Sequence, residues 1–493
     1  MHNILTRLKA QPQTYPSIDL SYSANEPVLH PVILQLAPSG IRLRFDGPDQ
    51  RLRLIEVLDF SKASLTYKGN ELVRRSKTLS DGPNEQDSKQ FSPAFRHVYN
   101  RLFGPSYPGE YIPPKSNNTS DRGTYVLSYP GVAFCFPLLH GSWTERADFV
   151  SLLASSASSS ATSMAIFQGS SWSEARTTLF TKQPQFPRSI ALTGRNKDLA
   201  PDEVEEARIH GQGQIEFMRR SQPSFWVCLS ETTPQDLIAE FGPPDTIYRK
   251  NDTRISIHGN TIEHGATRLE STSPIGRATS LDTDDSSAQS YGEESDPEQA
   301  SNPTDKSLVN PECFYNYFHH GFDVFISFPT SKSPPFPDTS VRDTRSILGS
   351  ELKVTKILLH ANVPGSYPFN RHRRSRWSIR TDSDVTDGEV LTSEMAFNDV
   401  SEVLKGMWHG AYRTEEEEKS MQRGMVLNRG WGESPESSVE LLGGWEDNAS
   451  LQGTGALESS NGVQGLGNTE LFGFPGLLFE VLKNGTVSCL TVY

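Results

Sequence analysis

Apolar residues recur at every second position after four glycines. Gly40 is followed by Ile41, Leu43 and Phe45, and Gly131 by Val132, Phe134 and Phe136. Gly321 is followed by Phe322, Val324 and Ile326, and Gly476 by Leu477, Phe479 and Val481. Period-two alternation sends such side chains to one face of a strand. A second strand returns after the first, third and fourth copies, and a short helix precedes each copy. Two of these helices end alike, at Phe103-Gly104-Pro105 and Phe241-Gly242-Pro243. The pattern predicts duplicated α+β units, each a short helix on one face of a small antiparallel β-sheet, with long disordered insertions. The plainer alternative is that glycine followed by alternating apolar residues is common among unrelated hairpins.

Finer signals place the elements. Ile4, Leu5 and Leu8 fit the end of an amphipathic helix. Strands are expected at 17–22, 31–36, 40–45, 51–57 and 64–67, with Asp46-Gly47-Pro48-Asp49 as a turn. Residues 93–103 read as a helix capped by Ser92, and 124–129 and 131–137 as strands. From 151 to about 213 the chain is polar, and little regular structure is expected. A strand is expected at 224–229, then a helix opened by Thr233 as cap with Pro234 in its first turn and ended by Gly242. Residues 246–248 and 254–258 read as strands. The stretch 268–306 is too poor in large apolar residues to offset its ordering entropy, and is expected to be disordered. A helix at 397–404 is expected to close at Gly406, and Asn484-Gly485 marks a final hairpin. The resulting units are 1–76, 90–150, a connection 151–213, a central unit 224–379, and 391–493.

Composition narrows the function classes. The 493 residues carry 47 Lys+Arg against 60 Asp+Glu, an acidic balance that argues against nucleic-acid binding. Four cysteines lie scattered without CxxC spacing, as reduced core thiols do. No apolar run approaches the roughly 20 residues of a membrane-spanning helix.

The densest run of aromatic and β-branched residues is 311–379. His319 and His320 sit beside Asp323 there, and His258, His360 and His372 lie near in sequence, yet no HExxH or other ligand spacing appears. Ordinary surface or core imidazoles are the plain reading. No GxSxG elbow or GxxxxGK loop occurs, and Gly211-Gln212-Gly213 lacks the context of a phosphate loop. No cofactor is implied. The sharpest charged feature is Arg371, Arg373, Arg374 and Arg376, four arginines within six residues. Guanidinium groups grip phosphates bidentately, so the run is a candidate site for an anionic lipid or an acidic partner. The alternative is a solvated loop balancing nearby carboxylates.

CFYNYFHHGFDVFISF followed by VTKILLHANVPGSYPFNRHRR resembles the signature of the phagosome assembly factor family, formerly an uncharacterised family also labelled Lin-10 homologue. GIRLRFDGPDQRLRLIEV, FGPSYPGEY, GVAFCFP, FGPPDTIYRKNDTRISIH and GLLFEVLKNGTVSCLTVY follow the family's order, so the resemblance covers most of the chain. The family begins with a longer helical segment, its polar inserts are shorter, and it is less basic at 371–376. The resemblance implies a non-enzymatic cytoplasmic adaptor that regulates autophagy with a β-propeller (WD40-like) partner. It further implies recruitment to the preautophagosomal structure, with phosphoinositide-containing membrane implicated. Golgi-to-plasma-membrane transport is the alternative from the older label, and a cryptic hydrolase is the alternative of another class.

Overall fold

Each of the four glycines occupies the same turn of the same four-strand unit. The first unit is α1 (His2–Lys9), β1 (Asp19–Ser21), β2 (Val32–Leu36), β3 (Ile41–Phe45) and β4 (Leu52–Val57), followed by a small hairpin, β5 (Thr66–Tyr67) and β6 (Asn70–Glu71). The second is α2 (Phe95–His97, continued by a π turn over Val98–Leu102), β7 (Glu110–Ile112), β8 (Arg122–Tyr129), β9 (Val132–Leu139), α3 (Phe149–Ala154) and β10 (Ser163–Phe167). After α4 (Trp172–Thr178) come β11 (Val204–Gly211), β12 (Gln214–Arg219) and β13 (Phe225–Cys228). The third unit is α5 (Pro234–Phe241), β14 (Thr246–Arg249), β15 (Cys313–Tyr317), β16 (Phe322–Ser327) and β17 (Lys353–His360). Past β18 (Trp377–Arg380) and β19 (Val390–Thr392), the fourth is α6 (Phe397–Trp408), α7 (Glu415–Met421), β20 (Met425–Asn428), β21 (Asn468–Phe474), β22 (Leu477–Leu482) and β23 (Val487–Val492).

This computed structural model describes residues 1–73, 92–115, 118, 120–182, 203–220, 222–249, 312–329, 351–380, 390–422, 424–428 and 468–493. The strand expected at 254–258, with His258, and the disordered tract expected at 268–306 lie outside them.

Gly40, Gly131, Gly321 and Gly476 all have positive φ, at 65°, 82°, 90° and 75°, between the second and third strands of their units. Glycine adopts that conformation without a Cβ penalty. Each glycine carbonyl accepts the N–H of the residue at the end of the fourth strand: Leu58 at 2.8 Å, and Phe167, His360 and Tyr493 at 3.0 Å. The same turn is thus built four times, and only the third places an imidazole at its closing position.

The units fuse in pairs. β4 pairs antiparallel with β10 and β17 with β23, so each pair makes one eight-stranded sheet. The orders are β1-β2-β3-β4-β10-β9-β8-β7 and β14-β15-β16-β17-β23-β22-β21-β20. A five-stranded sheet, β13-β12-β11-β18-β19, completes the fold, with β11 parallel to β18.

Alternation decides what each face buries. Leu5 and Leu8 of α1 pack on Val32, Leu34 and Phe45, and Phe95 and Leu153 join Phe134 and Phe136. In the second sheet Leu237 and Phe241 of α5 and Phe397, Val400 and Leu404 of α6 meet Phe322, Val324, Phe479 and Leu490. The five-stranded sheet closes on that same face, with the Phe217 ring 4.8 Å from Phe322 and Trp377 5.9 Å from Phe479. Burying side chains of this size contributes about 1.5–3 kcal/mol each.

Two expectations need correction. The stretch 151–213 holds most of α3 and all of β10, α4 and β11. Serine-rich composition hid β10, whose Met164 and Phe167 face into the fold on opposite sides of the sheet. Gly211-Gln212-Gly213 is the turn of the β11–β12 hairpin, and Ala207, Ile209, Ile215 and Phe217 alternate inward around it. The helix expected at 397–404 continues through Gly406 to Trp408. Gly406 carries no positive φ, so it does not act as a stop there.

Candidate functional site

The face of the second sheet turned away from its helices carries the cluster with the most chemistry. With Phe322 and Val324 facing the core, Asp323 points the other way. His360 stands on that same face one strand along, because Asp323 is paired with Leu358, two residues before it. His372 arrives from the 361–376 segment, which folds back over the β15–β16 turn. Arg373 N–H donates to the Phe318 carbonyl and Ser375 N–H to the His360 carbonyl, both at 2.8 Å. A Cβ on Gly321 would stand 2.4 Å from the Arg373 carbonyl oxygen, so only glycine lets the segment pass so close.

Asp323 binds both imidazoles at once. Its Oδ2 is 2.9 Å from His360 Nε2 and its Oδ1 is 2.8 Å from His372 Nε2. The two rings stack, with centroids 3.8 Å apart and planes 16° apart. Cys489 is paired with His360 across β17–β23, and its thiol acts on the same ring. Burial opposes a charge on Asp323, but hydrogen bonds from His360 and His372 outweigh it and hold the carboxyl well below the usual carboxylate range. Burial likewise opposes a charge on His360; Cys489 and Asp323 outweigh it and push the imidazole up to about 10. Burial and the neighbouring His360 push His372 down to about 4.

Among the described residues the structure brings His360 and His372 to Asp323 and sends the other histidines elsewhere. Exposed His319 bonds Asp245 at 2.8 Å. His320 is buried beside Phe241 and Phe322, and burial pushes it down to about 4. Cys489, read from the sequence as a core thiol, joins the cluster without any local signal to announce it; all four cysteines are unpaired.

The arginine run lies at a junction between sheets. Arg374 donates to the carbonyls of Pro48 at 2.6 Å, Ala361 at 2.9 Å and Ser393 at 3.3 Å, and its side chain is 0% exposed. Arg376 reaches Glu394 at 2.8 Å and Asp49 at 3.0 Å. Arg373 reaches Glu203 at 3.4 Å, which also pairs with Arg51 and Arg220. Arg371 is exposed. The turn predicted at 46–49 forms the other half of this junction, extended by Gln50 and Asn362, which exchange hydrogen bonds of 2.8 and 2.7 Å.

No helix among the described residues is long and apolar enough to cross a membrane. No solved structure matches the chain. It is similar to a PHAF1 protein of Arabidopsis thaliana, at 22% identity over 99% of this chain and 87% of the relative. A Caenorhabditis elegans PHAF1 protein is 22% identical over 77% of this chain and 72% of its own length. One from Drosophila melanogaster is 21% identical over 99% and 87%. The family model described as phagosome assembly factor 1 matches residues 1–273 and 297–493. With that match running over nearly the whole sequence, the chain belongs to the phagosome assembly factor 1 family.

Proposed function

We propose that the protein is a non-catalytic adaptor in autophagosome assembly, acting with a β-propeller partner at the forming membrane. The observation that carries this reading is the family match, which spans both eight-stranded sheets and the five-stranded sheet between their halves of the sequence. The open face of the second sheet supports it. Tyr248, Phe314, Phe325 and Lys356 stand in one row across β14–β17. Phe314 and Phe325 are 4.6 Å apart, and Tyr248 is 58% exposed. An exposed tyrosine is among the side chains that concentrate binding energy at protein interfaces. In this reading Arg373, Arg374 and Arg376 act as the frame of the junction, and Arg371 is the member of the run free to meet an anionic surface.

The test is affinity purification of the tagged full chain from its own cells, alongside Tyr248→Glu. Co-purification of an identified β-propeller protein with the parent chain, reduced at least about tenfold in the variant, supports the reading. Absence of any such protein from the parent preparation overturns it.

One observation favours hydrolysis: Cys489 is paired with His360 across β17–β23 and His360 bonds Asp323, the order of a thiol nucleophile, a base and its orienting acid. A nucleophile needs a face open to substrate. Cys489 is 8% exposed, in a strand paired on both sides.

A further inference from the structure

We propose that Asp323, His360 and His372 bind a divalent transition-metal ion of the zinc class, which fastens the 361–376 segment to the second sheet. The donor atoms, two imidazole nitrogens and a carboxylate oxygen, lie within 4.8 Å of one another. That set is one zinc accepts readily, with bonds of about 2.0–2.2 Å. Both Nε2 atoms face the same carboxylate, one on each oxygen, so a cation entering between them replaces the protons of those hydrogen bonds, which leave to solvent, and meets all three donors.

The donors are held before any ion arrives. Asp323 and His360 stand on neighbouring strands locked by ladder hydrogen bonds. His372 is positioned by the bonds of Arg373 and Ser375 to Phe318 and His360, and its ring rests edge-on to Phe318 with centroids 4.9 Å apart. Cys489, paired with His360 across β17–β23, stands beside the His360 ring, where an outer partner orients a metal-binding imidazole. The Asp323 and His360 side chains keep 12% and 16% of their surface open to solvent. The three residues stand 37 and 49 positions apart along the chain, so an ion there closes the 361–376 segment onto the sheet. That segment carries Arg374 and Arg376, which reach the first unit at Pro48 and Asp49. Metal occupancy would thereby strengthen the junction.

The full chain, stripped with chelator and dialysed, is titrated with Co²⁺ and then Zn²⁺. The expected result is one equivalent of Co²⁺ with visible ligand-field absorption, displaced by Zn²⁺. Zn²⁺ should also raise Tm by about 4 °C or more. His372→Gln and Asp323→Asn should lose the absorption and the Zn²⁺-dependent rise while keeping a native circular dichroism spectrum. If neither variant folds, the parent titration alone decides. A folded parent chain that takes up no stoichiometric ion and melts unchanged overturns the proposal. So does uptake that persists in His372→Gln.

Discussion

Arg374 Nε donates to the carbonyl of Pro48 at 2.6 Å across 326 positions of sequence. A turn between two strands of the first sheet is thereby the socket for a guanidinium from the 361–376 segment. The same group serves Ala361 and Ser393, so removing it leaves three carbonyls without that donor. Arg374→Met, similar in length and unable to donate, should cost about 3–5 kcal/mol, seen as a lower urea midpoint. Arg371→Ala, on an exposed side chain, should stay within about 0.5 kcal/mol. Equal shifts in the two variants would remove the junction from the account of stability.

Gly321 and Gly485 both have positive φ, at 90° and 78°, but only Gly321 has a neighbour where a side chain would grow. Gly485→Ala should cost about 1–2 kcal/mol, the strain of the conformation alone. Gly321→Ala adds the clash with the Arg373 carbonyl and Ser375 nitrogen, and should melt several degrees lower than Gly485→Ala. Because the displaced segment carries His372, the same variant should also loosen the Asp323 cluster. Amide exchange at residues 372–376 reports this directly, and protection equal to the parent's would contradict it.

The Thr233 cap can be weighed alone. Asp236 N–H donates to Thr233 Oγ1 at 3.2 Å, and Thr233 N–H donates to Asp236 Oδ2 at 2.9 Å, a reciprocal box at the start of α5. Thr233→Ala should lower stability by about 1 kcal/mol in equilibrium denaturation. A neutral result would mean that packing of Leu237 and Phe241 alone sets this helix.

That cap was legible because its whole mechanism lies within four residues of sequence. The glycine-led strands were legible for the same reason: turn and alternation are local. The merging of units into eight-stranded sheets was not, since β4–β10 and β17–β23 are long-range pairings that no local pattern specifies. The site divided the same way. Alternation after Gly321 already turned Asp323 away from Phe322 and Val324, but nothing in the sequence says that residues 37 and 49 positions on return to it. The arginine run invited a surface reading because arginine is seldom fully buried. What draws Arg374 inward is a set of backbone carbonyls and the Glu394 carboxylate, and no local pattern brings those together.

Acid should open the arginine junction before it reaches the apolar cores. Burial opposes the charge on Glu394, but Arg374 and Arg376 outweigh it and hold the carboxyl below its ordinary 4.5. Glu203 is depressed in the same direction, with burial overcome by Arg373 and Arg51. A carboxyl depressed in the folded state adds stability that is complete above its unfolded value and fades as pH falls through the folded one. Tm should therefore start to fall below about 6.5, where His320 and His372, pushed down to about 4, must charge, and the carboxylates should add their loss as pH goes below about 4.5. Glu394→Gln should melt lower than the parent at pH about 7 and lose less on acidification, since its share of the linkage is already gone. Parallel curves for parent and variant would place the acid sensitivity elsewhere. Salt separates this from surface effects: with its side chain 14% exposed, Glu394 should keep most of its difference when salt is added, whereas exposed pairs such as Lys419 with Glu415 are screened.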